Sequence, residues 1–263
     1  MAMQPDYRPS MGAAGWGRPA ASAADYDAGL RAYMLRIFNW MASGLLLTGI
    51  VAFAVANVPA VQELFYTAMR APGGRVVMQP TLLFWVATFS PLAFMLVLSF
   101  GYQRMSKTTV QALFWLFCVC MGASLSNLAF RYTGASIGRA FFCSAAMFAG
   151  MALYGYTTKA DLTRMGSFMM MGLIGILIAG LVNIFMQSSA LQFAISAIGV
   201  VVFAGLTAWD VQRIKGDYGA YASQMGLEEA GKQSVYDALG LYLNFINMFQ
   251  SLLGLFGIRT GDE

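Results

Sequence analysis

Histidine is absent from this sequence. That removes Ser-His and Cys-His nucleophilic sites, imidazole metal ligands and imidazole proton relays in one step. Charge is scarce as well: Asp, Glu, Lys and Arg make up 11% of the 263 residues, and a soluble domain of this size carries about twice that share. Only three cysteines occur, Cys118, Cys120 and Cys143, all within apolar stretches and without C-x-x-C spacing. Neither a disulfide framework nor a zinc site is expected from them, and they read as small apolar packing residues. No G-x-x-x-x-G-K-[ST] loop is present, which argues against nucleotide-driven transport. No long basic run points to nucleic acid. Neither an enzyme nor a bound cofactor is expected.

Apolar residues dominate instead, at 59% of the chain. Seven stretches, near 38–57, 81–101, 109–130, 138–156, 166–186, 190–210 and 236–257, approach or exceed the roughly 20 apolar residues that cross a bilayer as helix. They do not alternate polar with apolar positions as barrel strands do. The expected fold class is therefore an all-α integral membrane protein with seven transmembrane helices in one domain, 25–258. Residues 1–24, rich in Ala, Gly, Met and Pro, are expected to form a disordered cytoplasmic tail, and 259–263 a short C-terminal tail. With the N-terminus inside, 11 Lys and Arg fall on the cytoplasmic side against 5 outside. That bias places the N-terminus in the cytoplasm and the C-terminus on the opposite face.

Between Asp25 and Trp40, residues Leu30, Tyr33, Met34, Ile37 and Phe38 share one helical face, with Arg31 and Arg36 off it. An interfacial helix ahead of the first span is expected there. The segment Pro59–Pro80, with Pro72-Gly73-Gly74, reads as the longest external loop, and Gln187-Ser188-Ser189 as a tight hairpin link. Gly134 and Gly138 form G-x-x-x-G, and Gly172, Gly175 and Gly180 line the fifth span; close helix contact is the expected use. The 19 methionines lack the ordered spacing or histidine partners of a copper path.

Asp210 stands out in this background. It is the one acidic side chain on a membrane-length apolar segment beyond that segment's first turn, and such a group costs free energy unless paired, solvated or protonated. In the last span Asp237, Asn244, Asn247 and Ser251 form a polar stripe. Asn244 and Asn247 can serve an ion path or pack helices by hydrogen bonds. Ser234-Val235-Tyr236-Asp237 also fits a capping-box variant that would start the helix. Asn127 and Asn183 read as packing groups. None of these residues is expected to form a metal site.

Two segments, 206–215 (Leu-Thr-Ala-Trp-Asp-Val-Gln-Arg-Ile-Lys) and 238–249 (Ala-Leu-Gly-Leu-Tyr-Leu-Asn-Phe-Ile-Asn-Met-Phe), resemble the last two spans of the transmembrane Bax inhibitor motif family, also called Bax inhibitor-1 or YccA-like. Residues 132–137 and 153–162 are similar to its bacterial members, and the likeness runs from about 27 to 258. The resemblance implies a bacterial inner-membrane protein whose seventh helix is central and surrounded by the other six. It implies a pH-sensitive calcium or cation leak, in which two aspartates share a proton and an arginine from the second span helps close the cytoplasmic end. Asp210 matches the first aspartate and Arg104 is the candidate arginine. The second aspartate is replaced by Asn244, so the pH response is expected at lower pH or flattened relative to the paired form. Asp237, about 10 Å nearer the cytoplasm, could attract cations to the entrance. The resemblance also implies an alternative: a non-conducting regulator that binds a membrane-anchored AAA protease of the FtsH type. Besides membrane lipid, the expected partners are thus a permeant cation and such a protease.

Overall fold

The computed structural model of the chain describes residues 23–70, 76–221 and 227–258. In chain order the elements are α1 (Ala23–Asn57), α2 (Pro59–Phe65), β1 (Tyr66–Arg70), β2 (Val76–Pro80), α3 (Leu82–Gly101), α4 (Lys107–Leu125), α5 (Asn127–Arg131), α6 (Gly134–Thr157), α7 (Thr163–Met186), α8 (Ser189–Tyr221) and α9 (Leu227–Phe256). Among the described residues, six helical segments are long and apolar enough to cross a membrane: α1, α4 with α5, α6, α7, α8 and α9. The expected span 81–101 corresponds to α3, whose apolar stretch Leu82–Leu98 is shorter and contains Pro91. The expected tails 1–24 and 259–263 lie outside the described residues, except that Ala23 and Ala24 already belong to α1.

Three local expectations are corrected. First, α1 is one continuous helix rather than an interfacial helix followed by a span. Leu30, Tyr33, Met34 and Ile37 are buried as the pattern required, but against protein: the Tyr33 ring lies 5.2 Å from that of Tyr218 on α8. Second, the segment Pro59–Pro80 is not a plain loop. After α2 it forms a hairpin in which Tyr66 pairs with Pro80 and Ala68 with Met78. Strands of five residues are too short to show a period, so the pattern was silent there. Tyr66 anchors the hairpin; its ring packs on Phe84 and Phe130, and its hydroxyl lies 2.9 Å from that of Ser126. The Pro72-Gly73-Gly74 turn lies outside the described residues. Third, Asp237 does not cap a helix start. α9 begins at Leu227, and Ser234 donates back to the Gly231 carbonyl at 2.8 Å within that helix.

The α7–α8 hairpin is as tight as the link predicts. Gln187 takes the left-handed conformation, φ 49°, and Asn183 bridges the turn by accepting from Ser188 N at 3.0 Å and donating to Gln192 at 3.1 Å. The link between α6 and α7 is held by α8: Gln212 accepts from Leu162 N and donates to the Ala160 carbonyl, and Lys215 donates to the Tyr156 carbonyl. These bonds explain why α8 runs on past Asp210 to Tyr221.

α9 is the most buried candidate span, with 56% of its apolar window buried against none of that of α7. It packs directly on α1, α4, α6 and α8, while α3 packs on α4 and α7 on α8. Thr48 of α1 ties three helices together, donating to the Cys118 carbonyl of α4 at 3.0 Å and lying 2.7 Å from the Tyr242 hydroxyl of α9. Such pairing is required where no water can satisfy a buried hydroxyl.

Close helix approach uses other glycines than the motif suggested. A Cβ at Gly134, Gly138, Gly175 or Gly180 would meet nothing within 4 Å, and of the expected set Gly172 alone faces a near neighbour, Val202. The tight crossings are elsewhere: Gly44 and Gly122 between α1 and α4, Gly166 against the Trp209 ring, and Gly155 against the Ala208 backbone. Helix contacts in lipid depend on such fit rather than on a hydrophobic drive. Gly155→Ala must push α6 away from α8 and is expected to cost about 1–3 kcal/mol. Gly150→Ala, where a Cβ meets nothing within 4 Å, is the control. Thermal melting of the detergent-purified protein reads the difference, and equal midpoints contradict it.

Candidate functional site

α8 and α9 bring together Asp210 and Asn244, both singled out by the sequence. Asp210 lies part-way along α8 and accepts two hydrogen bonds. Asn244 Nδ2 of α9 donates to Oδ2 at 2.7 Å, and Arg213, one turn further on α8, donates to Oδ1 at 2.8 Å. Asn244 is buried, the Asp210 side chain is 13% exposed and that of Arg213 is 39% exposed. The guanidinium also lies over the Trp209 ring, 5.3 Å from its centroid. Asp210 is thus paired on one side and amide-bound on the other, which is how an ionised carboxylate is tolerated at such depth.

Asn244 donates to Asp210, as just described, whereas Arg104 is not at the carboxylate. Arg104 is exposed in the 3₁₀ turn after α3, and among the described residues the ion pair on Asp210 comes from Arg213. The i, i+3 spacing of Asp210 and Arg213 on one helix was the sequence signal for this pair. The turn after α3 does reach α9, through a different residue: Tyr102 donates to Gln233 Oε1 at 2.6 Å. Burial first, and then the nearby Glu229 and Asp237 carboxylates, raise the Tyr102 phenol above its ordinary value, so it remains a donor.

Asp237 forms a second polar centre at the same end of α9. It is buried, accepts from the Tyr33 hydroxyl at 2.7 Å and from Gln233 Nε2 at 3.0 Å. A chain of hydrogen bonds therefore runs Tyr102, Gln233, Asp237, Tyr33, joining the end of α3 to α9 and α1. Tyr33 was visible as one of the buried-face residues, but nothing in its spacing showed that its hydroxyl would meet Asp237. Lys232, also buried, stacks over Tyr102 at 4.3 Å and pairs with Glu229 at 3.5 Å.

Asn247 is half-buried and lies outside the Asp210 contact, whose donors among the described residues are Asn244 and Arg213. Asn183 serves the α7–α8 turn, as a packing role predicts. Among the described residues no group of three or more Cys, Asp or Glu is gathered to hold a metal ion.

Comparison with known proteins places this architecture. A protein of Caulobacter vibrioides is 45% identical over 233 residues, covering 88% of this chain and 90% of that protein. One of Rickettsia prowazekii is 46% identical over 235 residues, covering 89% and 92% respectively. The inner membrane protein YbhL of Escherichia coli is 42% identical over 232 residues, covering 88% of this chain and 94% of its own length. Its printed description agrees with the apolar helices in indicating a multi-pass inner membrane protein. Residues 30–261 match the family described as inhibitor of apoptosis-promoting Bax1, and with most of its length matched the chain belongs to this Bax inhibitor family.

Proposed function

We propose that the chain crosses the inner membrane seven times, with α3 as the additional span, and lets calcium or another cation leak slowly across it. In this reading α9 is the central helix, the N-terminus is cytoplasmic and the C-terminus periplasmic. The Asp210–Asn244–Arg213 contact closes the cytoplasmic end of the path. The observation that carries the reading is the 2.7 Å bond from Asn244 on the most buried span to Asp210 on its neighbour. A carboxylate at membrane depth marks an ion or proton path by default, and here it is joined to the helix that most of the bundle packs against. The 20 residues of α3 amount to about 30 Å of helix, enough to span. The Lys and Arg bias supports the orientation.

Closure in this scheme is a competition. The ionised Asp210 carboxylate accepts from both Asn244 and Arg213, and a proton or an arriving cation competes with them for its oxygens. A carboxylate in place of the amide would repel Asp210 until one of the two took up a proton. Asn244 replaces that repulsion by a donor, which holds the contact together across a wider pH range. A single carboxylate with amide oxygens suits a hard cation bound weakly, as a leak requires.

Calcium flux into proteoliposomes tests this. Arg213→Gln and Asp210→Ala should each raise basal flux at neutral pH about ten-fold, the equilibrium equivalent of one charge-assisted hydrogen bond. Arg104→Gln should leave flux unchanged; the reverse ranking of the two arginines overturns the assignment. Asn244→Asp is expected to move the pH response towards neutrality and steepen it, so identical profiles for wild type and variant contradict the role of Asn244. Wild-type flux no greater than that of protein-free liposomes overturns the leak itself and leaves the protease-regulator reading.

A further inference from the structure

We propose that the seam between α1 and α6 is a binding site for one anionic phospholipid, with an acyl chain in the groove against α9 and the phosphate at the Arg31 end. Both helices pack on α9, yet they make at most a slight contact with each other. Three cavities follow one another along the gap they leave. The first, of about 480 Å³, lies among Arg31, Met34, Phe38, Phe148 and Tyr156. The second, of about 710 Å³, is lined by Leu45, Gly49, Ala145 and Phe245 among others. The third, of about 570 Å³, continues beneath Ala52 and Ala56 of α1 towards Gly138, Phe245 and Phe249.

Along α1 the groove runs from Arg31 to Asn57, about 39 Å at 1.5 Å per residue, against about 30 Å of hydrocarbon. It therefore extends through the depth of a bilayer and into one headgroup layer. Its rims expose Leu46, Ile50, Phe53 and Phe142, so the phase beside it is lipid tail. Water needs polar partners to fill such a space, and the second cavity has almost none. An acyl chain does not. The small residues are explained on the same basis: a Cβ at Gly49 or Gly138 would meet nothing within 4 Å, so neither glycine serves a helix crossing, and both keep the groove open.

The Arg31 end supplies the charge. Arg31 is exposed and borders the first cavity. Lys215 lies beside the same mouth, donating to the Tyr156 carbonyl at 2.8 Å with its ammonium 5.0 Å over the Tyr156 ring. A guanidinium backed by an ammonium suits a phosphodiester, which the arginine can hold through two donors. The site depends only on the chain being in a membrane and not on its conducting ions.

Photo-crosslinking tests the proposal on the full chain in proteoliposomes of phosphatidylglycerol and phosphatidylcholine. The probe is phosphatidylglycerol carrying a diazirine at mid-chain, and adducts are mapped by peptide mass spectrometry. Adducts are expected on Phe245, which is buried on α9 and borders the second and third cavities. Leu177 and Leu181 on the exposed face of α7 report ordinary bilayer contact. Gly49→Phe should abolish the Phe245 adduct and leave α7 labelling intact, with a thermal melting midpoint near that of wild type showing that the variant is folded. Replacing the probe headgroup by phosphocholine, whose ammonium offsets the phosphate charge, should lower the Phe245 adduct about five-fold in wild type, as expected when the net attraction to one cation is lost, and not in Arg31→Gln. No adduct on Phe245, an adduct that Gly49→Phe leaves unchanged, or equal labelling by both headgroups overturns it. So does a protein-to-protein contact through this face that excludes the probe.

Discussion

A polar side chain carried into the middle of a bilayer has no water to fall back on, and each unsatisfied group costs several kcal/mol. α9 carries Asp237, Tyr242 and Asn244 into the interior, all three buried. Each has its partner on a different helix: Tyr33 and Thr48 on α1, Asp210 on α8. Hydrogen bonds at three levels along one helix fix its depth and rotation together. The remaining helices then follow, with α4 brought in by the Thr48 to Cys118 bond, α6 packed on α8 and α9, and α3 and α7 added outside.

The same pairing makes the candidate site what it is. Asp210 and Asp237 are both stabilised, but by different means. Asp210 is held by a charge and an amide and is partly exposed. Asp237 is sealed by the Tyr33 phenol of α1 and by the Gln233 amide, which Tyr102 in turn ties to the end of α3. The partners of Asp210 come from its own helix and from α9, whereas the Tyr33 bond to Asp237 joins α1 to α9.

Helix-packing glycines show how far local pattern can mislead. The visible G-x-x-x-G at Gly134 and Gly138 borders a cavity, whereas the crossings that a methyl group would break are at Gly155 and Gly166. Spacing identifies a strip of small residues, but the same strip can admit a helix or a lipid chain. Only the position of the next helix distinguishes them. The same holds for Arg104 and Arg213: both stand near the ends of apolar runs, and distance to Asp210 separates them.

Sequence alone determined the membrane class, the helical segments and the prominence of Asp210 and Asn244, because long apolar runs and isolated polar groups are properties of composition along the chain. It also determined the buried face of α1, through a helical period that holds whatever covers it. Tertiary structure decided what covers that face, which arginine meets Asp210, that Asp237 binds a tyrosine 204 residues away rather than capping a helix, and that Tyr66 anchors a hairpin. Those outcomes depend on pairwise distances between segments far apart in the chain, and hydrophobic periodicity carries no information about which helix lies beside which.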